Sequence, residues 1–288
     1  MRKELEKKIE QAIRLLKFAD VSAKIKVQPV EIAYSGGKDS DVILELAKMS
    51  GIEYRAIYKA TTLDPPHTIA HARSKGVEVI FPKKKFADII EKNGLPTDKH
   101  RCCCKYFKEY KVLDVVVMGV RRSESIKRRK RYKEPTECRV YGKSKKQRAE
   151  VFYPILDWNI RDVAEFVKER NIQCHELYYD NKGNFHPERR LGCIGCPLKS
   201  PRLRIIDFKK YPNLLKLYVN RGKLYFENHP HTKTYKKYNG DICRCMVHLL
   251  FFYKKRIDEF NRSVGANMFD SGINCKEFLE SYFNVKLD

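Results

Sequence analysis

The sequence has few acidic residues and no long hydrophobic run. Its 288 residues contain 60 lysines and arginines but only 36 aspartates and glutamates, which gives a formal net charge of +24. No window approaches the ~18 consecutive apolar residues of a membrane-spanning helix, so no membrane association is expected. The first residues are charged and contain no apolar stretch of the kind found in secretory signals, which favours a cytoplasmic protein.

The excess of positive charge predicts polyanionic partners. Nucleotides and nucleic acids are the main candidates, and an anionic membrane surface is a weaker one. The alternative is that the lysines and arginines only cover solvated helix faces. Hydrophobic residues make up 42% of the chain and aromatic residues 11%. This is enough apolar material to exclude an intrinsically disordered protein.

The ten cysteines are clustered along the chain. Without a secretion signal, they indicate metal binding or catalysis in preference to a disulfide framework. Cys102, Cys103 and Cys104 are consecutive, and Cys193 and Cys196 form a C-x-x-C motif. The remaining cysteines are a C-x-C pair and three single residues: Cys243, Cys245, Cys138, Cys174 and Cys275.

Short apolar segments alternate with amphipathic segments over the first two thirds of the chain. Strands are predicted at 30–34, 54–58, 77–81, 112–118 and 151–158. Helices are predicted at 1–18, 39–49, 66–74, 86–92, 104–110 and 160–170. Near-continuous apolar strands that alternate with helices predict an α/β fold with a doubly wound, mostly parallel sheet.

Three segments are predicted along the chain. Residues 1–28 form an N-terminal helix, 29–200 a nucleotide-binding domain with the cysteine cluster, and 201–288 a helical C-terminal appendage rich in lysine and tyrosine. Within the second segment, eight of the thirteen residues from 121 to 133 are basic, and 143–148 adds more. The stretch 121–149 is therefore expected to be exposed and partly mobile.

The first predicted strand runs into the hexapeptide S-G-G-K-D-S and then into a helix. Two glycines let the backbone turn sharply and approach an anion without a Cβ clash. The N–H groups and the dipole at the helix N-terminus favour phosphate, the lysine adds a mobile charge, and the serines add hydroxyl donors. The spacing is not that of a Walker loop. The candidate phosphate-binding residues are Ser35, Gly36, Gly37, Lys38, Asp39 and Ser40.

The hexapeptide resembles the pyrophosphate loop (PP-loop) of the adenine nucleotide α-hydrolase-like superfamily. Four further segments resemble the phosphoadenosine-phosphosulfate (PAPS) reductase-like family, in the family's order: T-T-L-D-P-P at 61–66, G-V-R-R-S-E-S at 119–125, Y-P-I-L-D-W at 153–158 and L-G-C-I-G-C-P at 191–197. The resemblance spans roughly residues 30–200. Residues 208–218 show a weaker resemblance to phage and bacterial members. The main resemblance implies that ATP or a sulfonucleotide binds at the carboxyl ends of the strands.

The resemblance also implies nucleotide-binding residues beyond the loop. Arginine guanidinium groups suit phosphate and sulfate oxygens, and Mg²⁺ is expected to help neutralise a pyrophosphate. The implied residues are Thr61, Thr62, Asp64, Arg121, Arg122 and Ser125, with Arg128 as a further candidate. For the rest of the basic run, a solvated face and a contact with DNA or RNA remain open: Lys127, Arg129, Lys130, Arg131 and Lys133.

A C-C pair and a distant C-x-x-C motif can together enclose a metal centre. Adjacent cysteines suit a zinc knuckle poorly. In iron–sulfur members of the family such a set holds a [4Fe–4S] cluster, and here 88 residues separate the last cysteine of the triplet from the C-x-x-C motif. In those relatives a lysine lies four positions after the second of the two adjacent cysteines. Lys108 therefore favours Cys103–Cys104 as the pair, whereas Arg101, immediately before the three cysteines, favours Cys102–Cys103. The preferred ligands are Cys103, Cys104, Cys193 and Cys196, with zinc or no metal as alternatives.

The first functional hypothesis is ATP-dependent sulfur transfer to a nucleic acid. The family's DNA-phosphorothioation and tRNA-thiolation relatives adenylate an acceptor, release pyrophosphate, and then displace AMP with sulfur. Here Lys38 and Asp39 would be the catalytic residues of the loop. A sulfur-donor protein such as a cysteine desulfurase is a possible partner implied by this chemistry.

Two other hypotheses remain open. The first is reduction of PAPS or adenylyl sulfate, in which a cysteine thiolate attacks sulfur and sulfite leaves. Family members carry that cysteine in a terminal E-C-G motif, whereas this chain has I-N-C-K, which makes Cys275 the candidate nucleophile but leaves the motif absent. The second is a nucleotide- or nucleic-acid-binding protein without catalysis, against which the intact S-G-G-K-D-S loop argues.

Overall fold

The computed structural model describes residues 2–141, 147–251 and 274–287. The chain forms two compact units. The first contains Met1–Pro82 and Phe107–Gly192, and the second contains Lys83–Tyr106 and Cys193–Asp288.

These units do not follow the three linear segments expected from the sequence. The N-terminal helix belongs to the same unit as the sheet, and residues 83–106 join the C-terminal helices although they lie within the predicted segment 29–200. Most of the C-terminal segment 201–288 is helical where it is described, but its residues 252–273 lie outside the described ranges.

The elements are as follows, in chain order. The strands are β1 Val30–Tyr34, β2 Tyr54–Lys59, β3 Glu78–Ile80, β4 Val115–Met118, β5 Thr136–Tyr141 and β6 Gln147–Phe152. The helices are α1 Lys3–Ile25, α2 Lys38–Ser50, α3 Thr68–Ser74, α4 Phe86–Asn93, α5 Cys102–Phe107, α6 Ile126–Arg131, α7 Ile160–Glu169, α8 Pro201–Lys210, α9 Pro212–Asn228, α10 Lys233–Tyr238, α11 Ile242–Phe251 and α12 Cys275–Phe283. Short 3₁₀ turns occupy Arg122–Glu124 and Glu176–Tyr178.

The strands form one six-stranded sheet in the order β3-β2-β1-β4-β6-β5. All neighbours are parallel except β5 and β6, which pair antiparallel. Ile32 in β1 lies opposite Ala56 in β2 and Val117 in β4, so the apolar centre of the sheet is in register across three strands. The predicted mostly parallel α/β fold with flanking helices is confirmed.

Helix α1 belongs to the core of the first unit. Its apolar residues recur at three- and four-residue intervals, the spacing that aligns side chains along one face of a helix. These residues are buried in the same cluster as β1 and α2: Leu5, Ile9, Ala12, Leu16, Ala19 and Ala23. Burying a leucine contributes about 1.5–3 kcal/mol. The N-terminal helix is therefore an integral layer of the nucleotide-binding unit.

The basic stretch contains regular elements that the sequence did not predict. Most of the described residues between 121 and 149 are exposed, as predicted, and they form a 3₁₀ turn, α6, β5 and the start of β6. The last strand is Gln147–Phe152, where the sequence predicted 151–158. Residues 142–146, which include much of the second basic run, lie outside the described ranges. The high charge concealed a strand because β5 lies at the sheet edge, where alternate side chains face solvent.

The sheet order places a crevice beside β1. The chain proceeds from β1 to β2 and β3 on one side and then returns to β4 on the other. Loops that leave the carboxyl ends of two such strands run in opposite directions, and ligands of open α/β sheets bind between them. The loop at 35–40 follows β1, and the arginine motif at 119–125 follows β4, so both motifs meet at this point.

The second unit is built from helices. Helix α4 packs along α9, and α11 packs against α8, α9 and α12. The ring of Phe251 contacts those of Phe278 and Phe283 at centroid distances of 5.2 and 6.4 Å. Among the described helices, none combines the length and apolarity needed to cross a membrane.

Candidate functional site

The predicted phosphate loop is the turn from β1 into α2. Gly36 has a φ of +75°, and a Cβ atom there would lie 2.8 Å from Thr68 Cγ2. Any other residue at this position would be strained by both the positive φ and the close side chain. The Ser40 hydroxyl donates to the Gly37 carbonyl at 2.7 Å, and the Ser35 and Ser40 hydroxyls are 3.2 Å apart. The loop is thus a compact turn that leads directly into a thirteen-residue helix.

The Asp39 carboxylate lies between two buried cations. Its Oδ2 is 3.1 Å from Lys38 Nζ, and its Oδ1 accepts a hydrogen bond of 2.7 Å from Arg121 Nε. The Lys38 and Arg121 side chains are only 5% and 4% exposed, and that of Asp39 is 15% exposed. Charges interact more strongly where water is excluded. The two cations therefore share one carboxylate where the loop enters α2.

A cavity of ≈ 310 Å³ opens beside these charges. Its charged lining consists of three cations and two carboxylates: Lys38, Arg121, Arg190, Glu124 and Glu188. Its volume is at the lower end for small-molecule pockets, which span ~300–1,000 Å³. A polar cavity with buried cations in its wall suits a phosphate or sulfate group.

Gly119 allows the β4 motif to approach the loop closely. A Cβ atom at this position would lie 2.8 Å from the Asp39 carbonyl oxygen and 3.0 Å from its carbon. Both are backbone atoms and cannot turn aside as a side chain would. The glycine therefore allows Arg121, two residues later, to reach Asp39.

Replacement of Gly119 by alanine is expected to lower the free energy of unfolding by about 1–3 kcal/mol and to weaken nucleotide binding. Gly192→Ala is the matched control, because a Cβ atom there meets nothing within 4 Å. Urea unfolding and ATP titration of both variants measure the two effects. Equal stability and equal ATP affinity in the two variants would contradict the close-approach argument.

Tyr178 supports the loop from a distant part of the chain. Its ring lies 5.4 Å from Lys38 Nζ, within range of a cation–π interaction. Its hydroxyl accepts a hydrogen bond from the Leu191 N–H at 3.4 Å. Burial raises the pKa of this phenol, although hydrogen bonds from the backbones of Lys38 and Leu191 lower it. Tyr178 is one of 17 tyrosines, and no motif in the sequence marks it.

A buried polar group behind the loop also escaped the sequence analysis. Asp41, which is 2% exposed, accepts a hydrogen bond from the Tyr34 hydroxyl and lies 3.2 Å from His71 Nε2. Burial and then the neighbouring Asp41 raise the pKa of Tyr34, and the same two causes raise that of Cys174. These contacts fix the first turns of α2 to β1 and α3.

The T-T-L-D-P-P segment forms a turn held by its own side chains. Asp64 accepts hydrogen bonds from the Thr61 N–H at 2.7 Å and the Thr61 hydroxyl at 2.8 Å. Thr62 has a φ of +60°. The carboxylate thus maintains the turn, and nucleotide contacts by Thr61, Thr62 and Asp64 stay predictions.

The two adjacent arginines point to different partners. Arg121 reaches the loop, whereas Arg122 donates to the Tyr132 carbonyl at 2.9 Å and also contacts the Lys133 carbonyl and the Asp157 carboxylate. Ser125 caps α6 by accepting a hydrogen bond of 3.2 Å from the Arg128 N–H. The structure therefore brings Arg121 to Lys38 and Asp39, and it places Arg122 and Ser125 at the ends of the basic helix.

The four predicted cluster cysteines all belong to the second unit. In the C-x-x-C motif, the Cys196 N–H donates to the Cys193 carbonyl at 3.3 Å. Gly195 between them has a φ of +67°, and its N–H donates to Asp207 Oδ2 at 2.8 Å. The motif is therefore a fixed turn.

One buried tyrosine connects the two cysteine motifs. Tyr218 donates its hydroxyl to the Gly195 carbonyl at 3.3 Å. Burial and then the thiols of Cys103, Cys196 and Cys193 raise the pKa of Tyr218. Cysteines of both motifs are therefore close enough to the Tyr218 hydroxyl to affect its ionisation.

The three consecutive cysteines differ in their contacts. A hydrogen bond with Cys104 and then burial raise the pKa of Cys103. Cys102 instead directs its thiol towards the Gly94 carbonyl at 3.9 Å. The contacts thus separate Cys102 from the other two cysteines, and the choice between the registers Cys102–Cys103 and Cys103–Cys104 stays a prediction.

The described side chains do not form a ready metal centre. Within residues 2–141, 147–251 and 274–287, no three His, Cys, Asp or Glu side chains converge as metal ligands do. As arranged, the four cysteines do not fit a formed cluster or zinc site, so no chemical step below passes through one.

Cys275 begins α12 in the second unit and is half-buried. Burial and then the nearby Asp241 carboxylate raise its pKa. Since the thiolate is the nucleophilic form, a raised pKa lowers its reactivity near neutral pH. This environment argues against Cys275 as an activated nucleophile.

The family model described as the phosphoadenosine phosphosulfate reductase domain matches residues 29–199. Two uncharacterized proteins of Methanocaldococcus jannaschii are also similar. MJ0973 is 30% identical over 232 residues, which cover 75% of this chain and 53% of that protein. MJ0066 is 26% identical over 223 residues, which cover 72% and 44%. The chain thus spans about half the length of these relatives.

Two solved structures are similar at low sequence identity. Phosphoadenylyl-sulfate reductase from Candida auris, in a phosphate complex, has a TM-score of 0.44 and 16% identity over 67% of this chain and 96% of that one. FMN adenylyltransferase from Candida glabrata has a TM-score of 0.42 and 15% identity over 67% of this chain and 62% of that one.

Proposed function

This chain belongs to the phosphoadenosine phosphosulfate reductase domain family, and from that premise we propose that it is a PP-loop ATP pyrophosphatase that transfers sulfur to a nucleic acid. The observation that carries the proposal is the pair of buried cations, Lys38 and Arg121, on either side of Asp39 in the wall of the cavity. These groups lie where the loop enters α2, at the crevice between β1 and β4.

The proposed reaction has two substitutions. An acceptor oxygen forms a bond to the α-phosphorus of ATP, the bond to the β-phosphate bridging oxygen breaks, and pyrophosphate leaves with the electron pair. The acceptor proton passes to solvent. The outer sulfur of a persulfide on a donor protein, such as a cysteine desulfurase, then displaces AMP from the adenylated acceptor. A second thiol of the donor attacks the donor's inner sulfur and breaks the S–S bond, which leaves the outer sulfur on the acceptor and a disulfide on the donor.

The chain's own residues would act on the first substitution. Negative charge grows on the departing pyrophosphate, and preorganised cations at that point stabilise the transition state. Lys38 and the N–H groups of the loop would bind these oxygens. Asp39 would act through Lys38 and Arg121 by holding both cations in place, which makes it a positioning residue.

The positive charge of the chain supports a nucleic acid as the acceptor. The chain carries a net charge of +24, more than a nucleotide site requires. The largest local excess of basic residues follows the arginine motif directly, so a polyanion bound there would lie next to the cavity.

Mg²⁺ and a [4Fe–4S] cluster remain predictions of the family resemblance. Mg²⁺ would accompany ATP, and the cluster would use Cys103, Cys104, Cys193 and Cys196. Anaerobic purification followed by iron analysis and a visible spectrum tests the cluster. A brown protein with about four irons per chain would support the family prediction against the arrangement of the side chains, whereas a colourless, iron-free protein would agree with that arrangement and overturn the cluster assignment.

Reduction of PAPS or adenylyl sulfate is the second candidate, favoured by the description of the matching family. The absent E-C-G motif and the raised pKa of Cys275 argue against it. The test supplies the protein either with ATP, Mg²⁺ and DNA or tRNA, or with adenylyl sulfate and a thiol. Pyrophosphate release stimulated by nucleic acid is expected. Sulfite release that is lost in Cys275→Ser would establish the reductase instead, and nucleotide binding without turnover would establish a binding protein.

A further inference from the structure

We propose that residues 126–133, the basic arm, hold the phosphodiester backbone of a nucleic acid beside the cavity. The basic arm comprises α6 and the two residues that follow it. The choice of partner rests on the proposed function, but binding can be measured without turnover.

Some cations of the basic arm are already neutralised within the first unit. Arg128 pairs with Glu124, and Arg131 pairs with Glu137 at 2.7 Å. The others are exposed, and in the described parts of the chain no acidic side chain forms an ion pair with them: Lys127, Arg129, Lys130 and Lys133. Four cations within seven residues are therefore available to an external anion.

The basic arm is held in place at both ends, unlike a freely solvated charged run. At its start, Ser125 caps the helix through the Arg128 N–H. At its end, Arg122 donates to the carbonyls of Tyr132 and Lys133. This explains why Arg122 turns away from the loop. Ordering the basic arm in advance reduces the entropy lost when a ligand binds.

The basic arm begins next to the cavity wall. Arg121, Ser123 and Glu124 line the cavity, and α6 starts two residues later. Six helical residues extend about 9 Å, at ~1.5 Å each. Along one strand of a duplex, successive phosphates are ~3.4 Å apart along the axis. A backbone bound to the basic arm would therefore place its neighbouring nucleotides within reach of the cavity.

The composition of the basic arm favours a nucleic acid over a protein partner. Protein interfaces bury an apolar core rich in aromatic residues. Here Ile126, 71% exposed, is the apolar side chain that the arm exposes. Lysine and arginine without an apolar core are the groups that contact backbone phosphates.

The test measures binding of fluorescent duplex DNA and of tRNA by anisotropy, without ATP, over a series of salt concentrations. The variant is Lys127→Glu/Arg129→Glu/Lys130→Glu. The control is Lys3→Glu/Lys7→Glu/Lys17→Glu, which makes the same change in net charge at exposed positions of α1 in the same unit. Circular dichroism verifies that both variants fold.

The arm variant is expected to lose roughly 10- to 100-fold in affinity, and the slope of log K against log salt for duplex DNA should fall by about 2.7, since three contacts each contribute ~0.9. The control should stay within about twofold of the wild type. The polymer that binds more tightly, DNA or tRNA, identifies which nucleic acid supplies the backbone that the basic arm binds. Equal losses in both variants, an unaffected arm variant, or binding of anionic vesicles but not nucleic acid would overturn the inference. Arm-dependent binding without nucleic-acid-stimulated pyrophosphate release would refute only the proposed function.

Discussion

Replacement of Lys38 by alanine is expected to lower the rate of pyrophosphate release from ATP about 100- to 1,000-fold, the usual cost of removing a preorganised group that stabilises transition-state charge. Lys38 is 5% exposed and lies against the cavity. A lysine elsewhere on the surface therefore cannot reach the cavity and take over the function of the missing amine. The measurement is the initial rate of pyrophosphate release at saturating ATP.

Lys38→Ala should leave the fold intact, because Asp39 keeps its hydrogen bond to Arg121. The matched control is Lys48→Ala, which removes an exposed lysine near the other end of the same helix and should retain the wild-type rate. If Lys38→Ala releases pyrophosphate at the rate of Lys48→Ala, the loop does not act on the phosphates.

Replacement of Asp39 by alanine is expected to destabilise the protein by about 3–5 kcal/mol, because it leaves two buried cations without their shared counter-ion. The Lys38 and Arg121 side chains are at most 5% exposed, so water screens them poorly. The measurement is the free energy of unfolding in urea.

The double variant Asp39→Ala/Arg121→Gln separates this charge effect from a general packing defect. It removes one of the two unpaired cations while keeping a hydrogen-bonding side chain of similar length. It should therefore recover part of the lost stability. If the double variant is less stable than Asp39→Ala alone, Asp39 does not act as a counter-ion.

Local sequence features predicted the loop and the sheet that carries it. The strand Val30–Tyr34 is a continuous apolar run, and S-G-G-K-D-S combines the glycines and donors that a phosphate turn needs. Short apolar strands and a glycine turn depend mainly on neighbouring residues, and this is why they can be predicted from a single chain.

Contacts between distant residues could not be predicted in this way. Arg121 reaches Asp39 across 82 positions, and the neighbouring Arg122 is directed elsewhere although the sequence treats the two alike. Tyr178 at the loop and His71 beside Asp41 likewise depend on how the segments meet in three dimensions. No local pattern distinguishes these residues from others of the same type.

The basic stretch shows a different limit. Runs of lysine and arginine are typical of solvated segments, and this composition concealed β5. The strand is fixed by its partner: the residues of β5 from Thr136 to Tyr141 pair antiparallel with β6, and the hydroxyl of Tyr153, which follows β6, donates to Glu137. Pairing with β6 thus overrides the composition of the segment.

The position of the bond broken in ATP tests the central claim most directly. The protein is incubated with Mg²⁺, nucleic acid and ATP labelled at the γ-phosphate, and the labelled products are separated. If the loop directs attack at the α-phosphorus, the label will appear in pyrophosphate and the adenosine in AMP or an adenylated acceptor. Label in orthophosphate, with ADP as the other product, would contradict this account.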